Sequence, residues 1–202
     1  MIIDRPSGPI GIAFSGGADS ALLLYYLMSQ HDETIHIYTR LGATPDDFMY
    51  DVQGVENVIK WCSIKTQFTN YIHTSVVGSQ AAPQLFDDLH MWRDNGKIMG
   101  LYSGITANPP HIVQDRFRDD KKMNPTNLDR DPRSVHEVYN EEYSGYFPFA
   151  NIDKQKIAEM YRADDLMDLF DLTSSCNWTG AQPLHCGHCW CCKEREWGFG
   201  RL

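Results

Sequence analysis

Six residues constrain this chain more than any others: Ser15-Gly16-Gly17-Ala18-Asp19-Ser20. A short apolar run, Pro9 to Ser15, precedes them, and a helical stretch from Ala18 to about Ser29 follows. That helix is apolar nearly all round, as a helix buried on every side would be. A strand, a glycine turn and a buried helix in this order form a βα unit whose turn is an anion site. Two glycines let the backbone turn sharply and approach a ligand closely. The free N–H groups and the dipole at the helix start favour a phosphate. Ser15 and Ser20 can add two hydroxyl donors, whereas Asp19 suits such a site only if it holds Mg²⁺ or caps the backbone. The loop is not a Walker A motif. Gly11 and Gly16 have its spacing, but Gly17-Ala18 stands where Lys-Ser/Thr is required. Nor is it G-x-G-x-x-G, which removes support for a dinucleotide fold.

Strand and helix patterns alternate after the loop. Thr34–Thr39 reads as a second strand, and Arg40 then falls at its carboxyl end, where parallel α/β sheets present ligand contacts. Thr44-Pro45-Asp46-Asp47 is a helix start, and Phe48, Val52, Val55, Ile59 and Cys62 form one face of the helix behind it. Phe68–Val77 is β-rich. Gln84–Asp94 carries Leu85, Leu89 and Trp92 on one face and stops at Asn95-Gly96. Lys97–Thr106 reads as the next strand. The expected fold is therefore α/β, a parallel sheet sandwiched by helices. From Asn108 to Tyr146 the pattern breaks, with five of the ten prolines between Pro109 and Pro148, and an irregular loop or lid is expected over 108–146. The pattern then recovers. Asp153 reads as a helix cap, Ile152 and Ile157 as a hydrophobic staple, and Ile157, Met160 and Tyr161 as a buried face. A further helical piece spans about Asp164 to Asp171.

Composition narrows the functional classes. With 27 acidic and 18 basic residues the net charge is −9, which disfavours nucleic acid as the main partner. Hydrophobic content of 42% excludes a disordered chain. The longest apolar run, Ala21–Met28, is far short of a membrane span, and Met1–Asp4 lacks the features of a secretory signal. A cytoplasmic protein that does not engage membranes is expected. Five of the six cysteines fall between Cys176 and Cys192, which in a reducing compartment reads as a metal site. Cys176, Cys186, Cys189 and Cys192 give C-x9-C-x2-C-x2-C, suited to a closed, structural four-thiolate Zn²⁺ site. Cys191 is the spare, and His185 and His188 are substitute ligands. An iron–sulfur cluster and a redox disulfide are the alternatives. Cys62 reads as a small buried hydrophobe.

S-G-G-x-D-S is the motif of the PP-loop ATP pyrophosphatases, whose strand–loop–helix cradles the pyrophosphate of ATP. With the terminal cysteines behind it, the chain resembles the 7-cyano-7-deazaguanine synthases. Phe147-Pro148-Phe149 to Lys154 looks like that family's P-L-x(4)-K segment. Thr173–Trp178 and Cys186–Cys192, with Arg195 soon after, resemble its cysteine segments. The middle differs: no G-R-N segment stands between Ser79 and Gly100, and Ile105-Thr106-Ala107-Asn108 replaces an acidic, substrate-facing stretch. The resemblance implies an adenine nucleotide alpha hydrolase-like ATP-binding domain over 1–172 and a zinc segment over 173–202.

The reaction it implies is ATP-dependent conversion of 7-carboxy-7-deazaguanine and ammonia to the nitrile, in queuosine or deazaguanine biosynthesis. Ser15, Gly16, Gly17, Ala18, Asp19, Ser20 and Arg40 would bind the nucleotide, and Asp19, Ser20 and Lys154 would serve catalysis. Mg²⁺ would accompany ATP. Two other readings stay open: a PP-loop enzyme acting on another acceptor such as a tRNA base, and a non-catalytic nucleotide-binding module. A homodimer is compatible with the sequence, which shows no exposed seam that would fix the oligomeric state.

Overall fold

The computed structural model describes residues 3, 6–42, 52–78, 83–117, 139–140, 145–175 and 185–202, with the side chains of 40–42, 77–78, 83–86, 115–116 and 139–140 outside that description. Its centre is a sheet of order β3-β2-β1-β4-β6-β5. The strands are β1 (Ile10–Ala13), β2 (Ile35–Gly42), β3 (Tyr71–Gly78), β4 (Gly100–Ser103), β5 (Tyr139–Asn140) and β6 (Gly145–Tyr146). Five of them run parallel, and β5 closes the edge antiparallel to β6. The helices are α1 (Ala18–Gln30), α2 (Val52–Thr66), α3 (Pro83–Asp94), α4 (His111–Phe117), α5 (Lys154–Ala163), α6 (Met167–Asp171) and α7 (Trp190–Phe199).

Chain order explains where a ligand can sit. The chain steps outward from β1 to β2 to β3, then returns to the other side of β1 as β4. The carboxyl ends of β1 and β4 therefore border the point where strand order reverses, the crevice that open α/β sheets use for ligands. The Ser15–Ser20 loop leaves β1 at this point.

The core follows from periodicity. Leu22, Leu23, Leu24 and Leu27 of α1 are fully buried, because α1 lies between the sheet and other helices. Its own face packs with Ile35 and Ile37 of β2 and with Val55, Val58, Ile59 and Cys62 of α2. A second cluster on the opposite sheet face joins Ala13, Tyr38, Leu89, Ile98 and Leu101. Phe199, near the C-terminus, belongs to the first cluster.

Several boundaries differ from the sequence reading. The buried α2 face is Val55-Val58-Ile59-Cys62, and Val52, the first residue of the helix, is 42% exposed; Phe48 and the expected start at Thr44-Pro45-Asp46-Asp47 lie outside the described residues. The β4 strand is shorter than Lys97–Thr106. Gly96 takes φ +69, and the Lys97 amide donates to the Trp92 carbonyl at 2.8 Å, so Lys97 closes α3 rather than opening a strand. Within 108–146 the described residues include α4, β5 and β6, so the segment is not wholly irregular. The Val113 amide bonds back to the Pro110 carbonyl at 2.8 Å, which starts α4 directly behind a proline pair. The two-residue strands carry no periodicity of their own and exist only through their pairing with each other and with β4. Asp153 caps α5 as expected, accepting from the Gln155 and Lys156 amides at 3.0 Å each, and Ile157 is fully buried with Ile152 packed against the core.

Candidate active site

The Ser15–Ser20 loop is held from within and from behind. Gly16 takes φ +74, and a Cβ there would lie 2.9 Å from Val55 Cγ2, so both backbone conformation and space require glycine. The Gly17 amide donates to Ser15 Oγ at 3.3 Å, the two serine hydroxyls lie 3.1 Å apart, and Ser20 Oγ donates to the Gly17 carbonyl at 3.0 Å. Gly17 is the N-cap of α1 and offers no side chain to the helix start. The first amides of α1 thus face the crevice with the helix dipole behind them.

Asp19 and Lys154 meet in this loop. Lys154 Nζ pairs with Asp19 Oδ2, although 135 residues separate them in the chain. Lys154 is 7% exposed, so it is a buried ammonium rather than a solvated lysine in a first helical turn. The other carboxylate oxygen, Asp19 Oδ1, is buried with no hydrogen-bond partner among the described residues. An orphaned carboxylate oxygen beside a phosphate-type loop has the chemistry of a hard-cation ligand, so these residues fit Mg²⁺.

Three further contacts escaped the sequence reading. The Tyr161 hydroxyl donates to the Ala18 carbonyl at 2.7 Å, and burial raises its pKa well above the ordinary value. Gly104 follows β4, and a Cβ there would lie 2.9 Å from the Asp19 carbonyl carbon and from the Ser20 amide nitrogen. The Ser174 amide donates to the Gly16 carbonyl at 3.2 Å. The sequence marked Tyr161 only as part of a buried face and Ser174 only within the Thr173–Trp178 segment; their contacts with the loop join residues more than 140 positions apart.

The segment behind the loop is anchored by Arg195. Its guanidinium donates to Thr173 Oγ1 at 2.7 Å, to Ser175 Oγ at 3.1 Å and to the Phe170 carbonyl at 2.9 Å, and it lies 3.6 Å from the centre of the Phe170 ring. Burial lowers its pKa to about 10.

Cys186, Cys189 and Cys192 converge at the start of α7, their sulfurs all within 4.8 Å of one another. The Cys186 and Cys192 sulfurs are 3.9 Å apart. One tetrahedral ion with bonds of about 2.3 Å places its sulfurs about 3.8 Å apart, so the three fit a single zinc-sized ion. The Cys189 amide donates to Cys186 Sγ at 3.3 Å and the Cys192 amide to Cys189 Sγ at 3.4 Å. Hydrogen bonds from the Cys191 and Cys192 thiols, followed by the Cys192 amide, push the Cys189 pKa down against the opposing effect of burial, favouring the thiolate. Cys176 lies outside the described residues. His188 turns its Nδ1 to the Cys186 carbonyl at 2.7 Å, and neither it nor His185 is part of the sulfur group. Arg40 lies on β2 in register with Val76, its side chain being outside the description. Cys62 is fully buried on α2, which pushes its thiol pKa up.

Residues 135–202 match the family described as queuosine biosynthesis protein QueC. That stretch holds Lys154 and the cysteine cluster, and Lys154 reaches into the Ser-Gly-Gly-Ala-Asp-Ser loop. The match spans the last third of the chain and does not include that loop. Among solved structures, the chain is similar to the U34-tRNA thiolase NcsA from Methanococcus maripaludis with its [4Fe-4S] cluster, at 13% identity and TM-score 0.45. The likeness covers 80% of this chain and 59% of that one. No curated protein matches the sequence. No helix among the described residues is long and apolar enough to cross a membrane.

Proposed function

We propose that this chain is an ATP-dependent carbon–nitrogen ligase that converts 7-carboxy-7-deazaguanine and ammonia to 7-cyano-7-deazaguanine. The observation that carries the proposal is the buried Lys154–Asp19 pair, through which the QueC-matched segment completes the PP-loop.

In this reading the amides opening α1 and the hydroxyls of Ser15 and Ser20 hold the β- and γ-phosphates of ATP. Arg40 serves the nucleotide from the carboxyl end of β2. The substrate carboxylate attacks the α-phosphorus, the Pα–O–Pβ bond breaks, and pyrophosphate leaves with its charge facing Lys154. Ammonia then adds to the acyl carbon and expels AMP, leaving the amide. A second activation, on the amide oxygen, followed by loss of that oxygen with AMP and of both amide protons, yields the nitrile. Burial of the loop behind Ser174 and Gly104 limits access of water to the activated acyl group.

Asp19, with its uncommitted Oδ1, would hold Mg²⁺, which neutralises charge on the leaving pyrophosphate. Cys186, Cys189 and Cys192, with Cys176 as fourth thiolate, would hold Zn²⁺ in a structural role.

The test is incubation with ATP, Mg²⁺, ammonia and 7-carboxy-7-deazaguanine. Nitrile, AMP and pyrophosphate are expected, and all three should vanish in Asp19→Ala. Pyrophosphate release only when tRNA is added would overturn the proposal, as would tight ATP binding without turnover on any acceptor. Elemental analysis should give one zinc per chain, and iron with a visible charge-transfer band would sink the zinc assignment.

A further inference from the structure

We infer that α7 is a mechanical link through which a metal ion on Cys186, Cys189 and Cys192 sets the geometry of the Ser15–Ser20 loop, with Arg195 as its positioning residue. The inference rests on reading the cysteines as a metal site and the loop as a nucleotide site.

The link can be followed contact by contact. The helix starts on the sulfurs themselves, because Cys189 is its N-cap and accepts the Cys192 amide. An ion joining three sulfurs therefore fixes the first turn of α7. Arg195 lies one turn further on and is 2% exposed. Its guanidinium grips Thr173 and Ser175, the residues on either side of Ser174. Ser174 in turn donates to the Gly16 carbonyl, and its own carbonyl lies 3.4 Å from where a Cβ on Gly17 would stand. Metal, helix, arginine, hydroxyl pair and loop glycines form one chain of contacts.

A second branch runs through Gly198, one turn beyond Arg195. A Cβ on Gly198 would lie 2.8 Å from both the Cβ and the carbonyl oxygen of Lys154. The helix thus rests directly on the residue whose ammonium pairs with Asp19. The far end of α7 is pinned, with Phe199 stacked on Phe170 at 3.9 Å and its carbonyl accepting from Arg162 at 2.8 Å. A shift at the cysteine end is therefore directed into Arg195 and Gly198 rather than dissipated at the C-terminus.

Arg195 is also costly in a way that packing alone does not explain. A buried guanidinium loses its hydration, and among the described residues it donates to neutral oxygens, with Nε unpartnered. A leucine or methionine would fill the same space without that cost. What the fork supplies is simultaneous hold on Thr173, Ser175 and the end of α6.

The experiment measures coupling rather than turnover. The full chain is prepared loaded with zinc and stripped by chelator. Binding of α,β-methylene-ATP with Mg²⁺ is measured by calorimetry, and hydrogen–deuterium exchange is followed over residues 14–24. Stripping should weaken binding of the analogue at least ten-fold and raise exchange in the loop. By linkage, the analogue should tighten zinc binding by the same factor. Arg195→Gln leaves all the thiols in place and should still bind one zinc. Its loaded form should bind the analogue as weakly as its stripped form, so that the loaded-to-stripped ratio collapses toward one. Arg195→Lys, which retains the charge but not the fork, should restore part of the ratio, and it replaces the glutamine variant if circular dichroism shows that variant unfolded.

An arginine that merely stabilised the fold would lower affinity equally in both forms and leave the ratio unchanged, which would overturn the inference. Identical loop exchange in loaded and stripped wild type would also overturn it. If no form binds the analogue but loop exchange still responds to zinc in an Arg195-dependent way, the link stands and the nucleotide reading fails.

Discussion

At the residue scale, Lys154 concentrates the chemistry of this protein. A lysine in the first turn of a helix opposes the dipole, and burying it adds a desolvation cost. Both costs are met by one carboxylate, Asp19, on a different helix. Lys154→Met should therefore do more than remove a cation from the pyrophosphate. It leaves Asp19, whose side chain is 17% exposed, unpaired; breaking a fully buried pair costs about 3 kcal/mol or more, and this partly exposed one about 1–3 kcal/mol. Urea denaturation should show a loss of that order, accompanied by loss of pyrophosphate release. Gly104→Ala tests the other wall. Its methyl would press on the backbone at Asp19 and Ser20, and backbone there cannot move aside without disturbing the start of α1. The expected result is a loss of nucleotide affinity larger than the loss of thermal stability, read by calorimetry and by melting of the same variant.

At the element scale, α5 joins the two ends of the chain. Asp153 caps it, Lys154 and Tyr161 reach the loop, and Ile157 packs beneath. Asp153→Ala should cost about 1 kcal/mol, the usual value of an N-cap, seen as a lowered urea midpoint with an unchanged slope. Much of this element was legible beforehand. An Asp cap, an Ile–Ile staple and apolar residues at helical spacing are local signals, because helix periodicity and capping depend on neighbours within one or two turns. The same locality made α1 and the face of Leu89 on α3 readable. The short strands β5 and β6 were not legible, since two residues carry no period and the partner that makes them strands lies elsewhere. Val52 was misassigned for a related reason: helical spacing identifies a face, while the packing partner decides which end of that face is covered.

At the scale of the whole molecule, burial sets a pH dependence. His36 is 6% exposed, and burial, followed by the nearby Lys97 charge, lowers its pKa. Burial does the same to His73 on β3. Such groups are neutral in the folded chain. As pH falls through the unfolded value of about 6.5, the unfolded chain takes up protons that the native state refuses, so stability decreases. Above about 6.5 their contribution is fully present. Stability measured from about pH 7 down to about pH 5 should therefore fall, and His36→Phe, which keeps an aromatic ring against Trp92, should flatten part of that slope. An unchanged slope in His36→Phe would show that His36 is protonated equally in both states.

The sequence by itself determined the βα unit around Ser15–Ser20, the parallel α/β class and the clustering of sulfur ligands. Each is written in short-range patterns: glycines where a positive φ is needed, a hydrophobic period, and cysteines spaced by two. The tertiary structure alone decided that Lys154 is a buried partner of Asp19 rather than a surface charge. It also decided that Tyr161, Ser174 and Gly104 close around the loop, and that Arg195 and Gly198 carry α7 against it. The physical reason is common to all of these. They are contacts between segments remote in sequence, and a residue's own neighbours cannot reveal whether it meets water, a carboxylate or a glycine once the chain has folded back on itself.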